Sequence, residues 1–262
     1  MSTVIERAAT SFAIPDFSGR PSITLHGSAA ISGVALRLTP AHFGQAGAAW
    51  YSQPVPVSAG FTTDFRYRLS GQGGDRDELG TLGADGFAFV VRGPASKPLG
   101  DAGAGMGYQG IDHSLAVEFD TYLNASVENS FSTADLDGHG RRPPGDHISI
   151  NTRGPAENSA WHPASLGYTT QPLSLETPRI APRSVRISYR PVRDRQPPRI
   201  RVFLDNLATP VLEVVLEKPL EQVLGLGPDA AVRVGFTAAT GSGWEEHDIA
   251  SWSFTTALGP NA

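Results

Sequence analysis

Residues 115–124, with the sequence Leu-Ala-Val-Glu-Phe-Asp-Thr-Tyr-Leu-Asn, decide how this chain folds. Side chains on a β-strand alternate between its two faces, so the stretch divides into an apolar and a polar set. One face carries Leu115, Val117, Phe119 and Thr121, and the other carries Ala116, Glu118, Asp120 and Tyr122. The pattern predicts a strand with an apolar core face and two carboxylates on the opposite face.

The negative charges of Glu118 and Asp120 on this strand face have to be balanced. Two positions apart on one strand face they are separated by roughly 6.5 to 7 Å, from the rise per residue. Negative charges beside an apolar strand are unfavourable unless a cation, a buried basic group or a shared proton balances them. The strand alone leaves all three alternatives open, together with ordinary surface carboxylates.

Composition narrows the class of protein. The chain has 262 residues, 40% of them hydrophobic, 29 glycines, 21 prolines and no cysteine, which excludes disulfides and cysteine nucleophiles. Its net charge of −5 gives no reason to expect nucleic acid or an anionic membrane as a partner. No apolar run approaches the roughly 20 residues of a membrane span, so we expect no membrane insertion.

The rest of the chain contains many short alternating stretches and no amphipathic helix, which predicts an all-β sandwich of antiparallel sheets. We predict one domain over residues 1–262, with a core of roughly 10–256. The predicted strands are 22–27, 34–39, 48–55, 61–69, 147–151, 185–190, 199–204, 211–216, 232–239 and 249–255, together with 87–91, which is apolar on both faces and predicts a buried central strand. We expect 22–27 and 34–39 to form a hairpin or meander, 1–20 to be an irregular lead-in, 152–182 to be mostly loop, and 218–224 to contain a short helical turn.

Residues near the key strand could supply metal ligands. Asn124 offers an amide oxygen, the carbonyl of Tyr122 could reach the same ion, and His147 opens the next strand. Oxygen ligands suit calcium, and carboxylates with one imidazole suit a transition ion such as manganese. The segment Asp135-Leu136-Asp137-Gly138 weakly resembles the calcium-binding loop of an EF-hand. Asp135 or Asp137 could donate one more carboxylate to the same metal site.

Other candidates are weaker on the residues alone. Asp85 stands at the entrance of the apolar strand 87–91, where an aspartate is usually a turn former. The glycine-rich loop 100–110 lacks the lysine of a phosphate-binding loop and would allow close backbone approach to a ligand. The arginines between 186 and 201 are interpreted as a solvated sheet face, with an anion-binding patch as the alternative.

Neither a serine elbow motif nor a triad is visible. Gly241-Ser242-Gly243 is a loop without the Gly-x-Ser-x-Gly pattern, and His247 and Asp248 are adjacent on a predicted strand, which directs their side chains apart.

Several motifs, in order along residues 10–256, resemble the legume-type (L-type) lectins. They are Ala84-Asp85-Gly86-Phe87-Ala88-Phe89, residues 114–124, His147-Ile148-Ser149-Ile150, residues 235–241, and His247-Asp248-Ile249 with Ser251-Trp252-Ser253-Phe254. The resemblance implies a jelly-roll β-sandwich (the concanavalin-like lectin fold) that binds carbohydrate without altering it.

The resemblance also implies a metal centre. Glu118 and His147 would hold manganese or another transition-metal ion, and Asp120 would bridge that ion and a calcium ion. The carbonyl of Tyr122 and the side chain of Asn124 would complete the calcium site. One position departs from the family, because Arg142 stands where a second aspartate is usual. Our hypothesis is that calcium is kept and that Asp135 or Asp137 substitutes, with Asp146 as a further candidate.

The sugar site implied by the resemblance uses several loops. Asp85, after a peptide bond that is cis in the family, would accept hydrogen bonds from sugar hydroxyls, and Asn124 would donate one. The loop at Ala104 and Gly105 would offer a backbone N–H, and the Tyr122 ring would stack on the sugar. Gly241 and Ser242, in the loop that ends at Gly243, would line the rim.

Two rival functions are a jelly-roll glycoside hydrolase that uses Glu118 and Asp120, and an adhesion or scaffold module that has lost sugar binding. The hydrolase is disfavoured because such enzymes typically add a further glutamate, and residues 121–124 contain none. We expect glycans or glycoconjugates as partners, an extracellular or cell-surface location, a bacterial source, and either a homo-oligomer or a place within a multidomain surface protein.

Overall fold

The computed structural model describes residues 10–19, 21–124, 145–171, 173–176, 181–228 and 230–256. Sixteen strands lie within them, with two turns of 3-10 helix and one short α-helix. In chain order the strands are β1 Ser11–Ile14, β2 Ile23–Gly27, β3 Ala30–Ser32, β4 Ala35–Thr39, β5 Ala46–Tyr51, β6 Val55–Pro56, β7 Phe61–Gly74, β8 Gly86–Arg92, β9 Ser114–Asp120, β10 His147–Thr152, β11 Ser165–Tyr168, β12 Arg183–Arg190, β13 Arg199–Leu204, β14 Leu212–Val215, β15 Ala231–Ala239 and β16 Gly243–Thr256. The 3-10 turns are Gly103–Gly105 and His162–Ala164, and the helix α1 is Leu220–Val223.

The strands form two antiparallel sheets packed face to face. The front sheet has the order β11-β10-β9-β8-β15-β5-β2, with β6 also paired to β15. The back sheet has the order β14-β13-β12-β7-β16-β4-β3, with β1 also paired to β16. Neighbours in space are often distant in sequence, so the arrangement is the jelly-roll β-sandwich expected above.

One end of the front sheet gathers the ends of its central strands. His147 pairs with Asp120, Asp120 with Gly86, Gly86 with Ala239, and Ala239 with Ala46. β9 and β15 finish at this row, while β8 and β10 begin there. The loops that precede β8 and that follow β9 and β15 therefore meet at one end of the sandwich, and Asp85, Tyr122 and Gly241 lie in them.

The core between the sheets is rich in aromatic rings. Phe87 and Phe119, neighbours on β8 and β9, are stacked with ring centroids 4.6 Å apart. Phe65 of the back sheet packs edge-on against Phe119 at 5.9 Å and against Phe236 at 5.0 Å. Full burial of one such side chain stabilises the fold by about 1.5 to 3 kcal/mol. The rings thus hold β9 firmly between its neighbours, which fixes the position of its polar face.

Three sequence-based expectations are wrong in detail. Residues 22–27 and 34–39 do not form a hairpin, because β2 pairs with β5 in the front sheet and β4 with β16 in the back sheet. Ser11–Ile14 is a strand on β16, although its segment looked irregular. Ser165–Tyr168 pairs with β10 inside a stretch predicted to be mostly loop. In each case a partner remote in sequence supplies the pairing.

The expected short helical turn is confirmed at Leu220–Val223. Among the described residues no helix is long and apolar enough to cross a membrane. Asp135, Asp137 and Arg142, and with them the hypothesis of a substitute carboxylate, lie outside the described residues.

Candidate functional site

Four loops converge at the end of the sandwich where β8 begins. A methyl group added at Gly241 would lie 3.1 Å from Oδ2 of Asp85 and 3.5 Å from Cα of Gly103. A methyl group at Gly243 would lie 3.2 Å from Cε2 in the ring of Tyr122. The sequence-predicted loops around 85, 103–105, 122 and 241–243 are therefore in mutual contact, and they surround one carboxylate.

That carboxylate belongs to Asp85. Its side chain is buried, although it lies at the end of the sandwich where the loops meet. The peptide bond between Ala84 and Asp85 is cis, as the resemblance implies. The backbone is held on both sides, because the N–H of Asp85 donates to Ala239 at 3.0 Å and its carbonyl accepts from Thr121 at 3.2 Å. Among the described residues, none is a hydrogen-bond partner of Oδ2. A buried acceptor left in this state is poised for an incoming donor.

Electrostatics around Asp85 favour its protonated form in the absence of a ligand. Burial, and then the charge of Glu245, raise the pKa of Asp85 to about 7, while a hydrogen bond from the backbone of Gly241 lowers it. Donated hydrogen bonds stabilise the ionised form. A ligand rich in hydroxyl groups would therefore stabilise the carboxylate that it contacts.

Glu245, fully buried on β16, lies directly beneath this loop. Its Oε1 accepts a hydrogen bond of 2.8 Å from the hydroxyl of Thr121, and its Oε2 accepts one of 3.1 Å from the amide of Gln72. A methyl group at Gly83 would lie 3.2 Å from Oε2 of Glu245. Nothing in the alternating pattern of β16 distinguishes Glu245 from a surface carboxylate, so its role was missed in the sequence.

The charges of the key strand meet a histidine on β10. Ligand atoms of Glu118, Asp120 and His147 lie within 4.8 Å of one another, and all three side chains are buried. The side chains therefore converge more closely than the strand rise alone gives. Nδ1 of His147 lies 3.1 Å from the carbonyl oxygen of Gly145, and its Nε2 lies 3.9 Å from Oε1 of Glu118. An Nδ1–H donated to that carbonyl leaves Nε2 as the ligand atom, the usual arrangement of a metal-binding histidine.

A polar network positions the carboxylate of Glu118. The hydroxyl of Tyr108 and the amide of Asn151 both donate to its Oε2, and the hydroxyl of Ser149 donates to Oε1 at 3.1 Å. Asn151 also donates to the hydroxyl oxygen of Tyr108 at 2.7 Å. Burial and the charge of Glu118 raise the pKa of Tyr108 well above its usual value, so the phenol stays protonated as a donor. The glycine-rich loop gave no sign of this network.

The residues assigned to calcium follow β9 directly. The N–H of Tyr122 donates to Oδ1 of Asp120 at 2.8 Å, and the amide of Asn124 donates to the carbonyl of Tyr122 at 3.1 Å. Asp120, the Tyr122 carbonyl and Asn124 are thus close together, and these oxygen donors fit the preference of calcium. The hydroxyl of Tyr122 donates to the carbonyl of Arg76 at 3.1 Å, which fixes its half-buried ring beside Gly243.

The remaining predicted residues lie at the rim. Ala104 is half-buried and Gly105 buried in the 3-10 turn Gly103–Gly105, whose first N–H donates to Thr240 at 3.2 Å. Ser242 is exposed, at the tip of the loop before β16. Asp146, named as a further candidate for the substitute ligand, accepts a hydrogen bond of 2.7 Å from the N–H of Leu175.

His247 and Asp248 point to opposite sides of β16, as their adjacency predicts. Nδ1 of His247 lies 2.6 Å from the hydroxyl of Thr39, whereas Asp248 is paired with Arg37 at 2.8 Å and Arg68 at 2.9 Å. These two residues cannot form part of a triad.

Comparison with known proteins agrees with this geometry. The family model described as the legume lectin domain matches residues 9–262. Favin of Vicia faba is 29% identical over 275 residues, covering 96% of this chain and 98% of favin. A lectin of Lathyrus sphaericus is 25% identical over 276 residues and covers 97% of both chains. The solved lectin of Bauhinia forficata in complex with GalNAc superposes with a TM-score of 0.69 at 25% identity, covering 96% of this chain and 100% of that one. The chain belongs to the legume lectin domain family.

Proposed function

We propose that this protein is a carbohydrate-binding lectin that reads sugar hydroxyls with Asp85 and does not alter the sugar. The observation that carries the proposal is the buried Oδ2 of Asp85, which has no hydrogen-bond partner in the part of the chain that the structure describes and lies beside the loop of Gly241 and the turn of Gly103. A sugar presents donors in fixed directions, and an anchored carboxylate accepts them. The Bauhinia forficata relative, solved with GalNAc, supports glycans or glycoconjugates as partners.

We assign to each remaining residue the part that its position supports. Asn124 would donate to a sugar oxygen, the 3-10 turn at Ala104 and Gly105 would offer a backbone N–H, and the Tyr122 ring would carry the apolar face of the sugar. Gly241 and Ser242 would select sugars by shape at the rim. A shallow site of this kind binds single sugars weakly, so useful avidity depends on several copies.

Two metal ions fit the residues behind the site. Glu118 and His147 would hold manganese or a related transition ion, Asp120 would bridge, and the Tyr122 carbonyl with Asn124 would hold calcium. Two buried carboxylates within 4.8 Å of each other and of an imidazole support this proposal, because a cation would balance their charge. The ions would fix the backbone that carries Tyr122 and Asn124.

Hydrolysis is the weaker alternative. Glu118 is only 1% exposed, and its carboxylate already accepts from Tyr108, Ser149 and Asn151. A general acid must reach the glycosidic oxygen, and these contacts keep Glu118 inside the sheet. We further propose an extracellular or cell-surface location, where glycoconjugates are presented.

A glycan array with calcium and manganese, repeated with a chelator, tests the proposal. For neutral glycans we expect binding that the chelator abolishes, loss of it in Asp85→Asn, and its retention in Asp194→Asn, which removes an exposed carboxylate elsewhere. Released sugar products would point to the hydrolase instead. No binding under either condition, from protein whose circular dichroism is that of a folded β-sandwich, would favour the scaffold module.

A further inference from the structure

A groove with a volume of about 550 Å³ crosses the outer face of the back sheet. Its walls include the start of β7, the end of β16, the end of β12 and the start of β13. The carbohydrate site lies at the opposite ends of β7 and β16, a strand length of roughly 40 Å away. The groove is therefore separate from the loops around Asp85.

The floor of the groove is a row of hydroxyl groups. Register places Thr255 opposite Thr62 and Thr62 opposite Ser188, and Ser188 lies opposite Arg201. All four are at least partly exposed. Side chains opposite one another across antiparallel strands lie about 4.5 to 5.5 Å apart at Cβ, so the row can contact one small polar molecule.

The walls carry more positive charge than their acidic neighbours balance. Arg190 and Arg199 stand directly opposite each other on β12 and β13, an unfavourable arrangement for like charges. Glu213 pairs with Arg199 at 3.4 Å and also with Arg201. Arg193 lies 3.8 Å from Asp194. Four lining arginines thus meet two carboxylates, and two positive charges remain on a chain with a net charge of −5.

One donor in this wall has no partner among the residues that the structure describes. It is the buried Nε of Arg199, whose two terminal nitrogens lie near Glu213 and Gln196. An oxyanion would satisfy such a guanidinium donor and relieve the repulsion between Arg190 and Arg199. A neutral ligand could accept a hydrogen bond from Nε, but it would not relieve the repulsion between the two arginines.

We propose that this groove is a second ligand site, which binds the sulfate or carboxylate group of an acidic saccharide. The arginines bind the anionic group, and the hydroxyls of Thr62, Ser188 and Thr255 bind the sugar oxygens beside it. The volume suits a mono- or disaccharide. This site does not depend on Asp85 or on metal ions, so it stands or fails apart from the lectin proposal.

Calorimetry on the full chain tests the groove with four probes: a sulfated disaccharide, a uronic-acid disaccharide, their neutral parent and inorganic sulfate. We expect one or both acidic disaccharides to bind, with affinity that falls as salt rises. With a chelator present, which silences the proposed sugar site at Asp85, the neutral parent should not bind, and inorganic sulfate should bind more weakly than the acidic disaccharides. Binding should persist with a chelator and in Asp85→Asn.

Variants locate the site. We expect Arg190→Gln/Arg199→Gln to weaken binding roughly tenfold or more, because a charge-assisted hydrogen bond is lost. Arg66→Gln, on the same sheet face but outside the groove, should bind normally. Should the double variant unfold, the exposed Arg190→Gln alone decides. The proposal is wrong if no acidic disaccharide binds, if inorganic sulfate binds equally well, or if Arg66→Gln weakens binding as much as the groove variants.

Discussion

The hydroxyl of Thr121 donates a hydrogen bond of 2.8 Å to Oε1 of Glu245, which joins the two sheets beneath the candidate sugar site. Thr121 follows β9 of the front sheet, and Glu245 belongs to β16 of the back sheet. Thr121, which stands between Asp120 and Tyr122 in the sequence, is thus bound to the fully buried carboxylate of Glu245. The contact couples the metal-binding strand to the floor of the site.

We expect Glu245→Ala to lower the free energy of unfolding by about 2 kcal/mol, because the buried hydroxyl of Thr121 loses its acceptor and a cavity forms. Urea denaturation of the metal-free protein measures the change. The control is Glu246→Ala on the same strand, a partly exposed residue paired with Arg37, whose loss should stay below about 1 kcal/mol. Equal losses in the two variants would contradict a special role for Glu245.

Stability of the metal-free protein should depend on Asp85 as pH changes. Its pKa is about 7 in the folded state against 3.8 for an ordinary aspartate, so the folded form holds the proton more tightly. The contribution of Asp85 to the free energy of unfolding is fully present below about pH 4 and is lost as pH rises through about 7. Asp85→Asn removes that loss.

The variant should therefore be more stable than the native chain at pH 8, by an amount on the order of a few kcal/mol. The difference should shrink toward pH 4. Denaturation curves across this range measure it, with the exposed Asp194→Asn as a control that shows no trend. A constant difference at all pH values would show that burial does not perturb Asp85.

Tyr108→Phe should weaken manganese binding roughly tenfold, because loss of a residue that orients a ligand carries that cost. The phenol of Tyr108 donates to Glu118 inside the sheet, and Asn151 would retain only part of that network. Calorimetric titration of the metal-stripped protein gives the affinity. Tyr189→Phe is the matched control, since the Tyr189 hydroxyl accepts from the N–H of Leu220 and touches no metal residue. An unchanged metal affinity in Tyr108→Phe would show that the hydrogen-bond network around Glu118 does not contribute to metal binding.

The local sequence pattern was sufficient to predict a strand and the burial of its side chains where the apolar residues alternate or form a short run. Phe61, Phe65 and Leu69 alternate with polar residues, and the segment is part of β7 with those side chains buried. In β7 the burial of each side chain is decided by the face on which it lies, and the period of two reveals that face. Residues 87–91 show no such period, because they are apolar on both faces, and that run predicted the burial found throughout Gly86–Arg92.

The local sequence pattern could not predict which distant segments pair with each other. β2 and β4 are separated in sequence only by the three-residue β3, yet they join different sheets, where β2 pairs with β5 and β4 with β16. Thr121 and Glu245 are 124 positions apart, and no local signal relates a hydroxyl to a carboxylate across two sheets. The motif at Asp85 was identifiable by resemblance, whereas its supporting contacts depend on how the sheets stack.

Gly241→Ala should weaken sugar binding with little effect on stability. The added methyl group would lie 3.1 Å from Oδ2 of Asp85 and 3.5 Å from Cα of Gly103, so it would stand beside the acceptor that the sugar needs. Blocking one hydrogen bond to a carboxylate costs about tenfold in affinity. The loop is half-buried and can shift by a few tenths of an ångström, which keeps the change in unfolding free energy below about 1 kcal/mol.

Affinity for the sugar that the array identifies, together with the melting temperature, measures both effects. The control is Gly227→Ala, where an added methyl group meets nothing within 4 Å and both quantities should stay unchanged. A Gly241→Ala protein that binds the sugar normally would place the ligand away from Oδ2 of Asp85. That result would move the binding face of the lectin toward Asn124 and the ring of Tyr122, because these are the other sugar contacts proposed at this end of the sheet.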